Sequence, residues 1–145
     1  MNMGSTCEPI LRALPDWFGI EEAIVQYVKE IDGLPTWLAV DGDKTAGFLT
    51  IKKHTPYAAE ILVMGVRRTL HRRGAGRALV LAAEQELHRQ GIQFLQVKTL
   101  SASHPDENYA RTRAFYFAMG FRPLEEMPGL WGPANPCLLM VKSLR

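Results

Sequence analysis

The residues His71-Arg-Arg-Gly-Ala-Gly-Arg77 put two glycines beside three arginines and a histidine. That combination suits an anion. A helix start leaves backbone N–H groups without partners and carries the positive end of the peptide dipole, so it can hold phosphate. Gly74 and Gly76 lack the Cβ that would keep an anion off the backbone. Arginines at the same place add charge-assisted hydrogen bonds. Arg67, Arg68, Arg72, Arg73 and Arg77 are five of the 17 Lys and Arg residues, yet the formal net charge is only +2. The positive charge is thus gathered on one turn, unlike a polycation built for nucleic acid. The alternative reading is a solvated basic turn that caps a helix.

Two glycine-loop chemistries fail on spacing. A nucleoside-triphosphate loop needs Gly-x-x-x-x-Gly-Lys-Ser/Thr, and no such lysine follows. A dinucleotide fingerprint wants a third glycine or alanine where Leu79 stands, and wants its glycines directly after the strand, whereas residues 67–73 intervene. The second feature is an acid in an apolar run, Ala59-Glu-Ile-Leu-Val-Met-Gly-Val66. Burying an ionised carboxylate is unfavourable, and desolvation would raise the Glu60 pKa toward the range useful to a general base. If Glu60 lies at the strand's exposed entrance instead, it is ordinary surface charge.

These residues need elements to hold them. Residues 1–15 read as a lead-in of short extended character, and 17–31 as a helix with Asp16 as N-cap and Gly33 as stop. Residues 36–40 and 46–52 form a hairpin about Asp41-Gly42-Asp43. Residues 59–66 are a strand apolar enough to be covered on both faces. The basic turn leads into a helix over 74–89, followed by a strand at 94–100, a polar turn at 101–106 and a helix to Met119. Strands at 121–125 and 136–143 finish the chain. Tyr109 and Tyr116, seven apart, fall on one face of that last helix. This order describes an α/β protein with one mixed sheet flanked by helices, a single domain over residues 1–145.

Composition agrees with a globular chain, with 47% hydrophobic and 22% charged residues. No apolar run approaches a bilayer span and no secretory pattern opens the chain, so a cytoplasmic, membrane-free protein is expected. Cys7 and Cys137 form no CxxC or metal-spaced pair, and no metal is expected.

Taken together, the basic loop and the helix 108–121 resemble the GCN5-related N-acetyltransferase (GNAT) family. Its coenzyme A loop reads Arg/Gln-x-x-Gly-x-Gly/Ala, with His71 here in the Arg/Gln place. Its second signature is a helix ending Phe-Tyr-x-x-x-Gly-Phe, matched by residues 115–121. The resemblance implies a twisted mixed sheet flanked by helices and acetyl-CoA as co-substrate. The loop residues His71, Arg72, Arg73, Gly74, Ala75, Gly76 and Arg77 would cradle its pyrophosphate. It implies that the strand splays from its parallel neighbour, so that Met64, Gly65 and Val66 border the pantetheine arm and one N–H steadies an oxyanion. Glu60, fourteen residues before Gly74, matches the base of the histone-acetylating branch. Tyr116 matches the general acid that protonates the departing thiolate; otherwise it is a core aromatic. The family's asparagine place is taken by Tyr109, with Asn108 one residue earlier, and both are candidate cofactor contacts.

The implied reaction is acetyl transfer to a primary amine of a small molecule or peptide by direct attack. A non-catalytic acyl-CoA sensor or partner-binding module on the same fold is the alternative. Trp17, Phe18 and Trp131 could wall the acceptor pocket, and Glu125 and Glu126 could attract its amine, although residues of these kinds more often serve packing or surface charge. Phe115 and Phe117 read as packing, and His104 as a loop residue. A homodimer would suit a domain this small, and no nucleic-acid partner is expected.

Overall fold

The computed structural model describes residues 2–71, 74–132 and 134–144. Six strands form one sheet in the order β1-β2-β3-β4-β6-β5: β1 Thr36–Asp41, β2 Lys44–Lys53, β3 Ala58–Val66, β4 Phe94–Leu100, β5 Arg122–Met127 and β6 Cys137–Ser143. Every neighbouring pair is antiparallel except β3 and β4. Among the described residues four α-helices cover it: α1 Gly4–Arg12, α2 Glu21–Asp32, α3 Ala75–Arg89 and α4 Glu107–Ala118. The parallel β3–β4 connection runs through α3, as a crossover helix must.

Two apolar clusters fill the two faces. Leu79, Val80, Ala83 and Leu87 of α3 pack with Tyr116 and Met119 against Leu49, Ile51, Ile61, Leu95 and Val97. On the other face Cys7, Ile10, Leu11 and Leu14 meet Ile24, Ile31, Phe48 and Val63. The N-terminal segment is therefore a packed helix, not the extended lead-in its sequence suggested. Cys7, Ile10, Leu11 and Leu14 recur at helical spacing and are all buried. The helix start is held from a distance, with Asp32 Oδ1 accepting the Gly4 N–H at 2.8 Å. A Cβ on Gly4 would lie 2.5 Å from Val28 O, so only glycine permits that approach. A second correction concerns α2, which begins at Glu21 with Ile20 as N-cap. Asp16 is not its cap; it pairs with Arg68.

The strand β3 carries an irregularity that decides the site. Its register with β2 runs Thr50↔Val63 and then Ile51↔Ile61, leaving Leu62 as an extra residue, a β-bulge. Ile61 therefore faces α3, while Val63, two residues on, faces α1. Pairing with β4 stops at Ile61↔Val97, although β3 continues to Val66 and β4 to Leu100. The bulge and the end of pairing coincide, so β3 and β4 part there. No helix of the described residues is long and apolar enough to cross a membrane.

Candidate active site

The parted strands open into a cavity of about 970 Å³, within the range of a small-molecule or cofactor site. Arg67 donates its backbone N–H to Ala46 O on β2 at 2.9 Å, so by strand alternation the Val66 and Met64 backbone groups point the other way, toward the gap. The Val66 carbonyl accepts from His71 Nε2 at 2.6 Å. The N–H groups of Met64 and Val66 thus face the gap where β4 no longer pairs. Gly65 also lines the cavity, but its missing side chain serves packing: a Cβ there would lie 3.2–3.3 Å from Ile10, Leu14 and Phe48. The glycine lets α1 sit close to the sheet.

At one end of the cavity, α3 begins. Gly74 is its N-cap at φ +85°, a left-handed conformation that glycine adopts without strain. The first bond inside the helix runs from Ala78 N to Gly74 O, leaving the amides of Ala75, Gly76 and Arg77 without acceptors in the helix. No side chain caps it and no acid stands in its first turn. Helix α4 differs, because Asp106 accepts from the Asn108 and Tyr109 amides at 2.8 and 3.1 Å. Of the two helix starts, that of α3 is the one left open to an anion. Gly74, Gly76 and Arg77 line the cavity, as does His71, whose ring meets Trp17 edge-on at 5.7 Å. A Cβ on Gly76 would come within 3.3 Å of the Phe115 ring, so this glycine also brings α3 against α4. Ala75 offers its backbone but is not part of the cavity wall. Arg72 and Arg73 lie outside the described residues.

Glu60 is buried at 4% exposure and lines the cavity. It faces the α1–α2 side, opposite to Ala59 and Ile61. Its carboxylate is neither isolated nor surface charge. His54 Nε2 lies 2.7 Å from Oε1, and Lys98 Nζ lies 3.3 and 3.2 Å from the two oxygens. Lys98 comes from β4, where Gln96 pairs with Glu60 and Lys98 follows on the same face.

Across the cavity, Tyr116 on α4 is buried between the rings of Phe115 and Phe121. Its hydroxyl has no hydrogen-bond partner among the described residues. Burial, helped by Tyr109 and Tyr27, pushes the phenol well above its ordinary range, so it holds a proton at neutral pH. Tyr109 also lines the cavity. Its hydroxyl donates to Trp17 O at 3.0 Å, and burial pushes it up to about 12. Asn108 does not reach the cavity; its Oδ1 accepts from Arg111.

The aromatic residues divide differently from the sequence reading. Trp17, Phe18 and Trp131 all line the cavity, Trp17 with its indole N–H on Thr112 Oγ1 at 3.0 Å. Phe115 lines it too, whereas Phe117 is exposed beneath the Arg122 guanidinium. Glu125 and Glu126 stand outside, Glu126 accepting from Ser103. Sequence reasoning missed His54, Lys98 and Tyr27. The available signal was Lys98, the one charge in the strand next to the one that carries Glu60. Cys7 and Cys137 are free and buried, and no group of three or more His, Cys, Asp or Glu among the described residues could hold a metal.

Comparison with known proteins places this geometry. The family model for the acetyltransferase (GNAT) family matches residues 8–121. No curated protein sequence matches the chain significantly. A GNAT-family protein of Desulfovibrio desulfuricans is similar in structure with a TM-score of 0.82 at 16% identity, over 98% of this chain and 92% of that one. An aminoglycoside 6'-N-acetyltransferase complexed with coenzyme A gives 0.77 at 19% identity, over 98% and 91%. A GNAT acetyltransferase from Elizabethkingia anophelis with acetyl-CoA bound gives 0.71 at 16% identity, over 90% and 87%. At these identities the likeness is one of fold.

Proposed function

The chain belongs to the acetyltransferase (GNAT) family, and on that premise we propose that it moves an acetyl group from acetyl-CoA to a primary amine by direct attack. One observation carries the reading: β3 and β4 part at Ile61 and Val97 over a cavity that joins an uncapped helix start to a buried acid and a buried phenol.

The residues fit the co-substrate. The free amides of Ala75, Gly76 and Arg77 and the left-handed turn at Gly74 would hold a diphosphate. The gap-facing backbone of Met64 and Val66 would pair with an amide-bearing arm laid along β3. Acetyl-CoA supplies the activated thioester. Glu60 takes the proton of the acceptor ammonium, directly or through water. An N–H of Met64 or Val66 steadies the carbonyl oxygen as charge develops on it. The freed amine attacks the thioester carbon, the C–S bond breaks as Tyr116 donates its proton to the departing sulfur, and the second proton of the amine nitrogen restores the phenol. Holding both reactants in one cavity supplies much of the acceleration.

The assay is release of free thiol from acetyl-CoA across a panel of amines and short peptides, with calorimetry of acetyl-CoA binding alongside. Saturable binding and amine-dependent thiol release are expected. Saturable binding with no release from any acceptor would instead leave an acyl-CoA sensor. No saturation by acetyl-CoA on folded protein would remove both.

A further inference from the structure

The acceptor half of the cavity has a chemistry of its own. On the α1–α2 side, Glu60 is bonded to Lys98 and shares the cavity wall with Tyr27 and Phe18. The Phe18 and Tyr27 rings meet edge to face at 6.0 Å. Burial raises the Tyr27 phenol above its ordinary range, with the charges of Glu30 and Glu60 adding to the effect. The wall on this side of the cavity therefore carries two packed aromatic rings.

Its charge is as informative as its rings. Among the described lining residues Glu60 is the one carboxylate, while Arg77, Lys98 and Arg111 are cationic. Glu60 is already balanced by Lys98 and hydrogen-bonded to His54. The acids next to the Trp17–Phe18 wall are engaged as well, Asp16 with Arg68 and Glu21 with Arg12. A polyamine or an aminoglycoside brings several ammonium groups, and among the described lining residues each beyond the first would meet Arg77, Lys98 and Arg111 with no second carboxylate. Stripping water from an unpaired ammonium is unfavourable, and so is placing it near Lys98. A single amine directed at Glu60, on a flat apolar body packed against Phe18 and Tyr27, shares that carboxylate with Lys98 and brings no further ammonium into the cavity.

We infer that the acceptor is a monoamine with an aromatic body, and that Phe18 and Tyr27 select it. This rests on the acetyl-transfer reading and narrows its substrate class.

The test uses the intact chain with saturating acetyl-CoA and compares 2-phenylethylamine, propylamine, spermidine and kanamycin by thiol release. A kcat/KM for 2-phenylethylamine at least tenfold above that for spermidine and for kanamycin is expected. Either polycation matching or exceeding it overturns the inference while leaving acetyl transfer intact. Should acetyl-CoA bind without turnover, calorimetry of the same amines into the coenzyme A complex decides, and aromatic binding no tighter than spermidine overturns it. Failure of the underlying reading is distinct, because acetyl-CoA would then either not bind or bind with no thiol release from any amine. Phe18→Ala supplies the residue-level check: KM for 2-phenylethylamine should rise severalfold more than KM for propylamine. Propylamine serves as the internal control for folding, and an equal rise for both amines would remove Phe18 from selection.

Discussion

Tyr116 and Glu60 are both buried, the phenol among aromatic rings and the carboxylate beside Lys98 and His54. For the phenol burial favours the neutral form, so the folded pKa stands above the unfolded one. The sign follows. The stability associated with the neutral phenol is whole below the ordinary tyrosine range and is lost as pH climbs through the raised value. The proton that Tyr116 gives away is therefore present throughout the neutral range. Tyr116→Phe removes the proton and little volume, so kcat should fall by roughly 10² or more while KM for acetyl-CoA stays close to wild type. Full rate in this variant would return Tyr116 to the core aromatics. Glu60→Gln should slow the reaction comparably but needs a stability control. It leaves the Lys98 ammonium without its counter-charge at a partly buried site. A rate loss at unchanged Tm counts toward the base; a rate loss that tracks a lowered Tm counts toward the ion pair.

Elements decide where such residues can stand, and Gly65 tests that at β3. With the side chains of Ile10, Leu14 and Phe48 at 3.2–3.3 Å from a would-be Cβ, Gly65→Ala makes these neighbours give way. Overpacking of this kind costs about 1–3 kcal/mol, measurable by urea denaturation. Acetyl-CoA affinity should change little, whereas a specific loss of affinity at unchanged stability would give Gly65 back to the arm. How far the sequence foretold these elements follows from the range of the forces involved. Locally encoded parts were readable: the apolar run of β3, the glycine that opens α3, and the tyrosine face of α4. Helix α1 had the spacing of Cys7, Ile10, Leu11 and Leu14 but was hidden by Gly4, by Pro9 inside the helix, and by a cap supplied by Asp32 of another helix. The Leu62 bulge leaves no local mark, since it exists only in the register with β2. The Glu60–Lys98 pair spans 38 positions, so it awaited the strand order.

At the scale of the molecule, the sheet is two halves joined by a short seam. The β1–β3 half meets the β4–β6 half through four β3–β4 pairs, from Ala58↔Phe94 to Ile61↔Val97. Beyond the seam, Trp17 ties the α1–α2 connection to α4 through Thr112 and Tyr109. A ligand lying in the gap, with its diphosphate on α3 and its arm along β3, would touch both halves where they lack direct pairing. Binding to the folded state alone stabilises it by about 2.7 kcal/mol at a ligand concentration of a hundred times Kd. For a chain near 150 residues, each kcal/mol moves the midpoint by roughly 2–4 °C, so acetyl-CoA at that level should raise Tm by about 5–10 °C. Pantetheine, which has the arm without the diphosphate, should give a much smaller rise at equal concentration. If the two ligands shift Tm equally, the start of α3 contributes nothing to binding. If neither shifts it, the gap between β3 and β4 is not where an acyl carrier rests.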